Sequence, residues 1–139
     1  MKNKIFILTI IALITLIFFA CTKDNLVEDN ILTTPIINIG QTSGDTLGIA
    51  ITASKSEAAN QTTAVSFTKD TILVSYTVIA YGGGEATIEL RNSNKQSKIY
   101  NLNSNQAVGQ EPLGFKPSQV LINIEVGYTG VVAMTVIGK

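Results

Sequence analysis

From Pro35 onward, apolar residues alternate with polar ones instead of recurring at helical spacing, and β-branched side chains crowd the apolar positions. No stretch of ten residues has the pattern of a helix. The clearest strand runs from Ile72 to Tyr81. Ile72, Val74, Tyr76, Val78 and Ala80 share one face and Ser75 and Thr77 the other, while Leu73 and Ile79 on the second face predict that its ends are covered too. Gly82-Gly83-Gly84 follows, and then Ala86, Ile88 and Leu90 alternate with Thr87, Glu89 and Arg91. Three glycines tolerate positive φ, so the pattern predicts a hairpin with a return strand. A phosphate-cradling loop would need a following helix and a Gly-Lys-Ser/Thr ending, and here a strand follows.

A second pair closes the chain. Val120, Ile122, Ile124, Val126 and Tyr128 alternate with Asn123 and Glu125, a break falls at Thr129-Gly130, and Val131 to Ile137 runs on as a near-continuous apolar strand. Such a run fits cover on both faces or a central place in a sheet. Leu47, Ile49, Ile51 and Ala53 form an earlier alternating set, with weaker ones at Val65 and Phe67 and from Ile99 to Leu102. Seven or eight short strands separated by turns predict an all-β immunoglobulin-like β-sandwich, with a small β-barrel as the alternative. Residues Asn92 to Lys98 and Asn101 to Gln110 are rich in Asn, Ser, Gln and Lys, and Gly109 to Pro117 contains Pro112 and Pro117. These read as loops, connectors first and binding surfaces second.

The first twenty residues are of another kind. Met1-Lys2-Asn3-Lys4 is a short basic start, and Ile5 to Ala20 is apolar except for Thr9 and Thr15. As a helix this run would span about 24 Å, short of the roughly 30 Å hydrocarbon core, and so fits an export signal better than a permanent span. It ends in Leu16-Ile17-Phe18-Phe19-Ala20-Cys21. That ending resembles the lipobox of signal peptidase II substrates, with Ala20 and Cys21 at the two most demanding positions and Phe18 in place of the usual leucine. The resemblance implies cleavage between Ala20 and Cys21, lipid on Cys21, and a membrane anchor; an uncleaved anchor with an incidental cysteine is the alternative. Each buried methylene contributes about 0.8 kcal/mol, so two or three acyl chains would hold the protein in the bilayer.

After the cysteine, Thr22-Lys23-Asp24-Asn25 and the run to Glu28-Asp29-Asn30 suit a solvated tether. The Cys-Thr-Lys-Asp order is similar to the export signal of surface lipoproteins in Bacteroidetes-type bacteria; a plain linker on a periplasm-facing lipoprotein is the other reading. The expected organisation is a signal peptide over 1–20, a lipidated cysteine and tether over 21–34, and a β-sandwich over 35–139. The expected location is the bacterial cell envelope, with the outer membrane favoured and its face left open.

Charge and composition then narrow the chemistry. The sequence has ten Lys and Arg against ten Asp and Glu, and removal of Lys2 and Lys4 with the leader leaves eight against ten. Such sparse, mixed charge offers no footprint for nucleic acid. Histidine is absent and Cys21 is the only cysteine, which removes the commonest general base, the soft-metal ligands and any intrachain disulfide. Glu89 and Glu125 occupy polar-face positions with nothing to bring them together, and the aspartates lack calcium-loop spacing. A non-enzymatic protein without a cofactor or metal is expected. Its partners would be the membrane through Cys21 and an envelope protein or a glycan, the latter stacked on Tyr81, Tyr100 or Tyr128.

The stretch Val74-Ser75-Tyr76-Thr77-Val78, the glycine turn, Ala86-Thr87-Ile88-Glu89-Leu90 and the closing Gly130 to Lys139 resemble the MmpS-like family over roughly the last seventy residues. That resemblance implies a small membrane-attached sandwich accompanying a lipid exporter. The family's tryptophan-containing stretch has no counterpart here.

Overall fold

The computed structural model describes residues 31–42 and 45–139. The expected leader, the cleavage site, Cys21 and most of the tether lie outside the described residues. Nine strands follow one another: β1 (Ile36–Thr42), β2 (Thr46–Ala53), β3 (Ala59–Ala64), β4 (Ile72–Gly83), β5 (Ala86–Arg91), β6 (Ser97–Asn101), β7 (Gln106–Pro112), β8 (Gln119–Ile124) and β9 (Thr129–Gly138). All pairing between them is antiparallel. One sheet has the order β1-β2-β9-β4-β7 and the other β3-β8-β5-β6, with no closed barrel. The inward residues of both sheets meet in a single core, and Ile31–Lys139 form one compact unit around it.

The predicted class, an all-β sandwich of short strands, is what the structure has. Its strand order is that of a jelly roll, in which β2-β9-β4-β7 faces β3-β8-β5-β6 and β1 is added beside β2. Within this order only β1–β2 and β5–β6 connect neighbours in one sheet; every other connection crosses between sheets.

That crossing corrects the predicted hairpin and the predicted closing pair. β4 pairs with β7 and β9, whereas β5 pairs with β6 and β8. The triple glycine therefore carries the chain from one layer to the other. Alternation tells which face of a strand is buried but not which strand lies beside it. The closing pair divides in the same way. β8 ends at Ile124, and Val126 lies in the following turn with 61% of its surface exposed. β9 takes the central place its composition predicted, between β2 and β4, but only one of its faces is buried. Ile79, expected to be covered, is 55% exposed beside a register shift in β4. The polar run expected to be a loop from Asn101 to Gln110 contains most of β7, an edge strand whose exposure keeps its side chains small or polar.

The two ends of the sandwich differ. At the first, Tyr128 is wholly buried and its hydroxyl donates to the Leu102 carbonyl at 3.1 Å. The Tyr128 carbonyl accepts from Ser56 N at 3.0 Å, and the Tyr81 ring stands 6.2 Å from its own. One residue, through its side chain and its backbone, thus ties together four connections: β2–β3, β4–β5, β6–β7 and β8–β9. Two glycines make room for it. A Cβ on Gly84, whose φ is +81°, would lie 2.5 Å from Tyr128 Cα, and one on Gly130 would lie 2.8 Å from the Tyr128 hydroxyl. The chain also enters the domain here. Thr33, in the stretch read as tether, donates its N–H to Lys55 O at 3.1 Å and accepts from Glu57 N at 2.9 Å. Ordered contacts with the sandwich thus begin two residues before Pro35.

Burial raises the Tyr128 hydroxyl pKa to about 12, so it remains a neutral donor at physiological pH. Tyr128→Phe is expected to cost about 1 to 2 kcal/mol through the lost hydrogen bond and the carbonyl left behind. Gly84→Ala is expected to cost more than about 2 kcal/mol, because backbone and not a side-chain tip is in the way. Urea denaturation checks both; wild-type midpoints would contradict the closure of this end by Tyr128.

Candidate functional site

Strand direction places the loops β1–β2, β3–β4, β5–β6 and β7–β8 together at the end opposite Tyr128. The β3–β4 loop folds over that end, burying Val65 and Phe67 against the core. Polar clamps hold its backbone. Gln41 accepts from Ser66 N at 3.1 Å and donates to Ser66 O, and the Asp45 carboxylate accepts from the backbone N–H and the hydroxyl of Thr68. From the β7–β8 loop, Lys116 Nζ reaches Thr68 O at 3.2 Å and Asp70 at 2.8 Å. Gly114, at φ +82°, gives that loop its turn.

Two shallow grooves flank the β5–β6 loop. The first, about 480 Å³, is lined by Val65 and Phe67 of the β3–β4 loop, Phe115 and Pro117 of the β7–β8 loop, and Asn94 and Gln96 of the β5–β6 loop. Ser118 and Lys116 complete its rim. The second, about 440 Å³, lies over the outer face of the four-stranded sheet beside Glu89, Arg91, Lys95 and Gln119. Asn92 and Ser93 line both. Asn92 Oδ1 accepts from the N–H groups of Asn94 and Gln96 at 2.9 and 3.0 Å, and its amide donates to Gln96 at 2.6 Å. Asn92 therefore shapes the loop, while Asn94 and Gln96 are exposed on it.

The charges at this end are largely matched. Arg91 binds Glu89 at 2.8 Å, which lowers the Glu89 pKa chiefly through that hydrogen bond, and Lys116 does the same for Asp70. Among the described residues Lys95 has no salt-bridge partner, and no group of three or more acidic, histidine or cysteine side chains could hold a metal. Glu89 and Glu125, weighed as an acid–base pair, are not brought together. Glu89 is engaged with Arg91 on β5, whereas Glu125 lies past the other end of β8, where its N–H donates to Glu85 O at 2.9 Å.

The tyrosines do not form an exposed cluster. Tyr100 is 3% exposed and Tyr128 fully buried, so neither ring offers a face for stacking. Tyr81 is half-buried and spends its hydroxyl on Gly84 O at 3.0 Å. Tyr100 belongs to a seam between the edge strands β6 and β7. Its ring meets that of Tyr76 edge-on at 5.3 Å under Lys98, which is paired to Glu111 at 2.9 Å. Burial first, and then the Glu111 charge, push the Tyr100 hydroxyl well above the ordinary range, yet it has no hydrogen-bond partner. The groove that Phe115 lines with the β5–β6 loop was not among the sequence expectations. The signal was the run of Asn, Ser and Gln from Asn92 to Gln96, composition that also marks any exposed turn.

The chain matches no known protein-family model and no curated protein. Among solved structures it is similar to one described as the crystal structure of the capsular polysaccharide assembling protein CapF from Staphylococcus aureus, at 13% identity and a TM-score of 0.34. The match covers 77% of this chain and 29% of that one.

Asp45 gives the groove a pH dependence of known sign. The Thr68 hydroxyl, first among its hydrogen-bond donors, holds its pKa below the usual carboxylate value. A depressed folded-state pKa gives a contribution fully present above the unfolded value of about 3.9 and lost as pH falls through the lower folded value. The Thr68 and Lys69 amide resonances are therefore expected to stay fixed from neutral pH to about pH 5, then shift on acidification. Asp45→Asn is expected to remove that titration; its persistence would assign the step to another group.

Proposed function

We propose that this protein is a lipid-anchored, non-catalytic binding or assembly module of the bacterial cell envelope, held by Cys21 and binding at its grooved end. The observation that carries the reading is the polarity of the sandwich. The chain enters beside Thr33 and Tyr128, whereas both grooves lie at the opposite end, one strand length of about 25 to 30 Å away. A chain anchored ten or so residues before Thr33 would be tethered through its closed end, leaving the grooves free to meet a partner. The absence of histidine from the sequence and the engagement of Glu89 by Arg91 support a binding role over a hydrolytic one.

A second reading, saccharide binding, is favoured by a groove that Phe115 lines together with the exposed residues Asn94 and Gln96. An aromatic face together with hydrogen-bonding side chains suits a sugar ring, which has apolar C–H faces and a polar edge. Because Lys116, the cation that lines this groove, is already paired to Asp70, such binding would depend little on salt. In affinity electrophoresis through neutral polysaccharide gels, retardation is expected, with a loss of about tenfold in affinity for Phe115→Ala, in line with the 1 to 1.5 kcal/mol of a stacking contact. Asn94→Ala with Gln96→Ala tests the polar lining without touching the core. Retardation unaffected by either change would remove this reading.

For the anchor, Cys21→Ser in the full chain is expected to abolish fatty-acid labelling and leave a precursor with its leader intact. Labelling that survives the substitution would overturn the lipid-anchor reading.

A further inference from the structure

Apart from Lys139, whose Nζ reaches Gln110 Oε1 at 3.4 Å at its grooved end, the outward face of the five-stranded sheet carries no charged side chain among the described residues. Along β2 the outward residues are Thr46, Gly48, Ala50 and Thr52, and along β4 they are Leu73, Ser75, Thr77 and Ile79. Between them β9 turns out Val131, Ala133, Thr135 and Ile137. The flanking strands add Asn38 and Gly40 from β1 and Ala107 from β7, in register with the same rows. An ordinary soluble surface is about a quarter to a third charged. The opposite sheet turns out Glu89 and Arg91 on the outer face of β5. Charge depletion is the compositional mark of the buried centre of a protein interface.

We infer that this face is a homodimer interface, in which two copies pack face to face about a two-fold axis running along β9. The register supplies the reason for a second copy as occupant. Ala133 pairs with Ala50 on one side and Thr77 on the other, and Val131 likewise lies between Thr52 and Ile79. An axis along β9 exchanges the two flanks, setting β4 of each copy over β2 of the other. The larger side chains then meet the smaller ones: Ile79 over Thr52, Thr77 over Ala50, Ser75 over Gly48, Leu73 over Thr46. A face whose halves differ in relief in this way is self-complementary, as a two-fold interface requires.

Other occupants fit less well. The face has no aromatic ring for a sugar, and its single cation among the described residues, Lys139, stands at one end engaged with Gln110, which offers little to phosphate or to a charged protein. Five strands by four outward rows cover roughly 20 by 25 Å, so a pair would bury about 1,000 Å² in total, the lower bound for a specific interface. Sheets packed this way lie within about 30° of parallel. An axis along the strands also points both closed ends, where the chains enter, in the same direction. Two copies anchored in one membrane could therefore pair without either turning over.

The test uses the compact unit beginning at Ile31, which contains the whole described core. In sedimentation equilibrium at about 100 µM, above the micromolar dissociation constants that small interfaces reach, the unsubstituted unit is expected to be dimeric. Ala50→Glu alone and Thr77→Lys alone are each expected to weaken association at least tenfold, since each buries a charge without a partner. Both positions are exposed in the single copy, and circular dichroism and thermal melting confirm that folding is retained. The double substitution sets a carboxylate against an ammonium twice across the axis and is expected to restore the dimer. Thr62→Lys, on the other sheet, is expected to change nothing. A monomer at this concentration, or a dimer indifferent to the single charges, would sink the inference; failure of the double variant to reassociate would reject the axis along β9. Fatty-acid labelling of Cys21 is read separately, so loss of the dimer and loss of the anchor cannot be confused.

Discussion

Tyr128 is the constraint on which one half of the sandwich depends. A jelly roll must pass its chain repeatedly from one layer to the other, and each passage leaves backbone groups near the core that need partners. At the closed end, one tyrosine fills the space between the crossings, and its hydroxyl serves the Leu102 carbonyl. Its own backbone meets the β2–β3 loop. A smaller residue would leave a cavity, whereas a phenylalanine would leave a carbonyl unpaired. The glycines at 84 and 130 belong to the same solution, since the ring and backbone of Tyr128 occupy the space that their side chains would take.

The sequence revealed the strands better than their neighbours. Leu47 to Ala53, Ala86 to Leu90 and Val120 to Ile124 alternate cleanly, and each strand buries the residues that alternation assigned to the core. The predicted hairpin failed because a glycine turn and a glycine crossing have the same composition; what separates them is whether the next apolar set pairs alongside or across the core. β7 escaped notice because an edge strand with one exposed margin needs few apolar residues. The site was legible only as loop composition. Tyrosines near strand ends drew attention as exposed rings, but Tyr100 and Tyr128 close the sandwich, and the ring at the groove is Phe115.

Charge is distributed by end and by face. The closed end carries Glu57, Glu85 and Glu125 against Lys55, whereas the grooved end carries Lys69, Lys95, Lys116 and Lys139 against Asp45 and Asp70. Much of the charge at the grooved end is spent internally, on holding the β3–β4 loop and on the Asp70–Lys116 pair. Exposed pairs of this kind contribute little to stability, typically below about 1 kcal/mol. Their consequence is geometric. They fix the β3–β4 and β7–β8 loops relative to each other, so Val65, Phe67 and Phe115 are positioned before any ligand arrives.

Preorganisation of that kind matters because the grooves are shallow. An open site gains little from burial, so its affinity depends on avoiding the ordering of loops upon binding, which costs about 0.5 to 1.5 kcal/mol for each side chain immobilised. Asn92 already fixes the β5–β6 loop and the Gln96 amide through three hydrogen bonds, leaving chiefly the exposed amide of Asn94 to be ordered. A weak site can still hold a polymeric partner when several copies act together, since tethering turns later contacts into intramolecular ones. The proposed anchor, the inferred pairing of sheet faces and a shallow preformed groove would act in the same sense: each copy would bind modestly, and confinement to one surface would supply the rest.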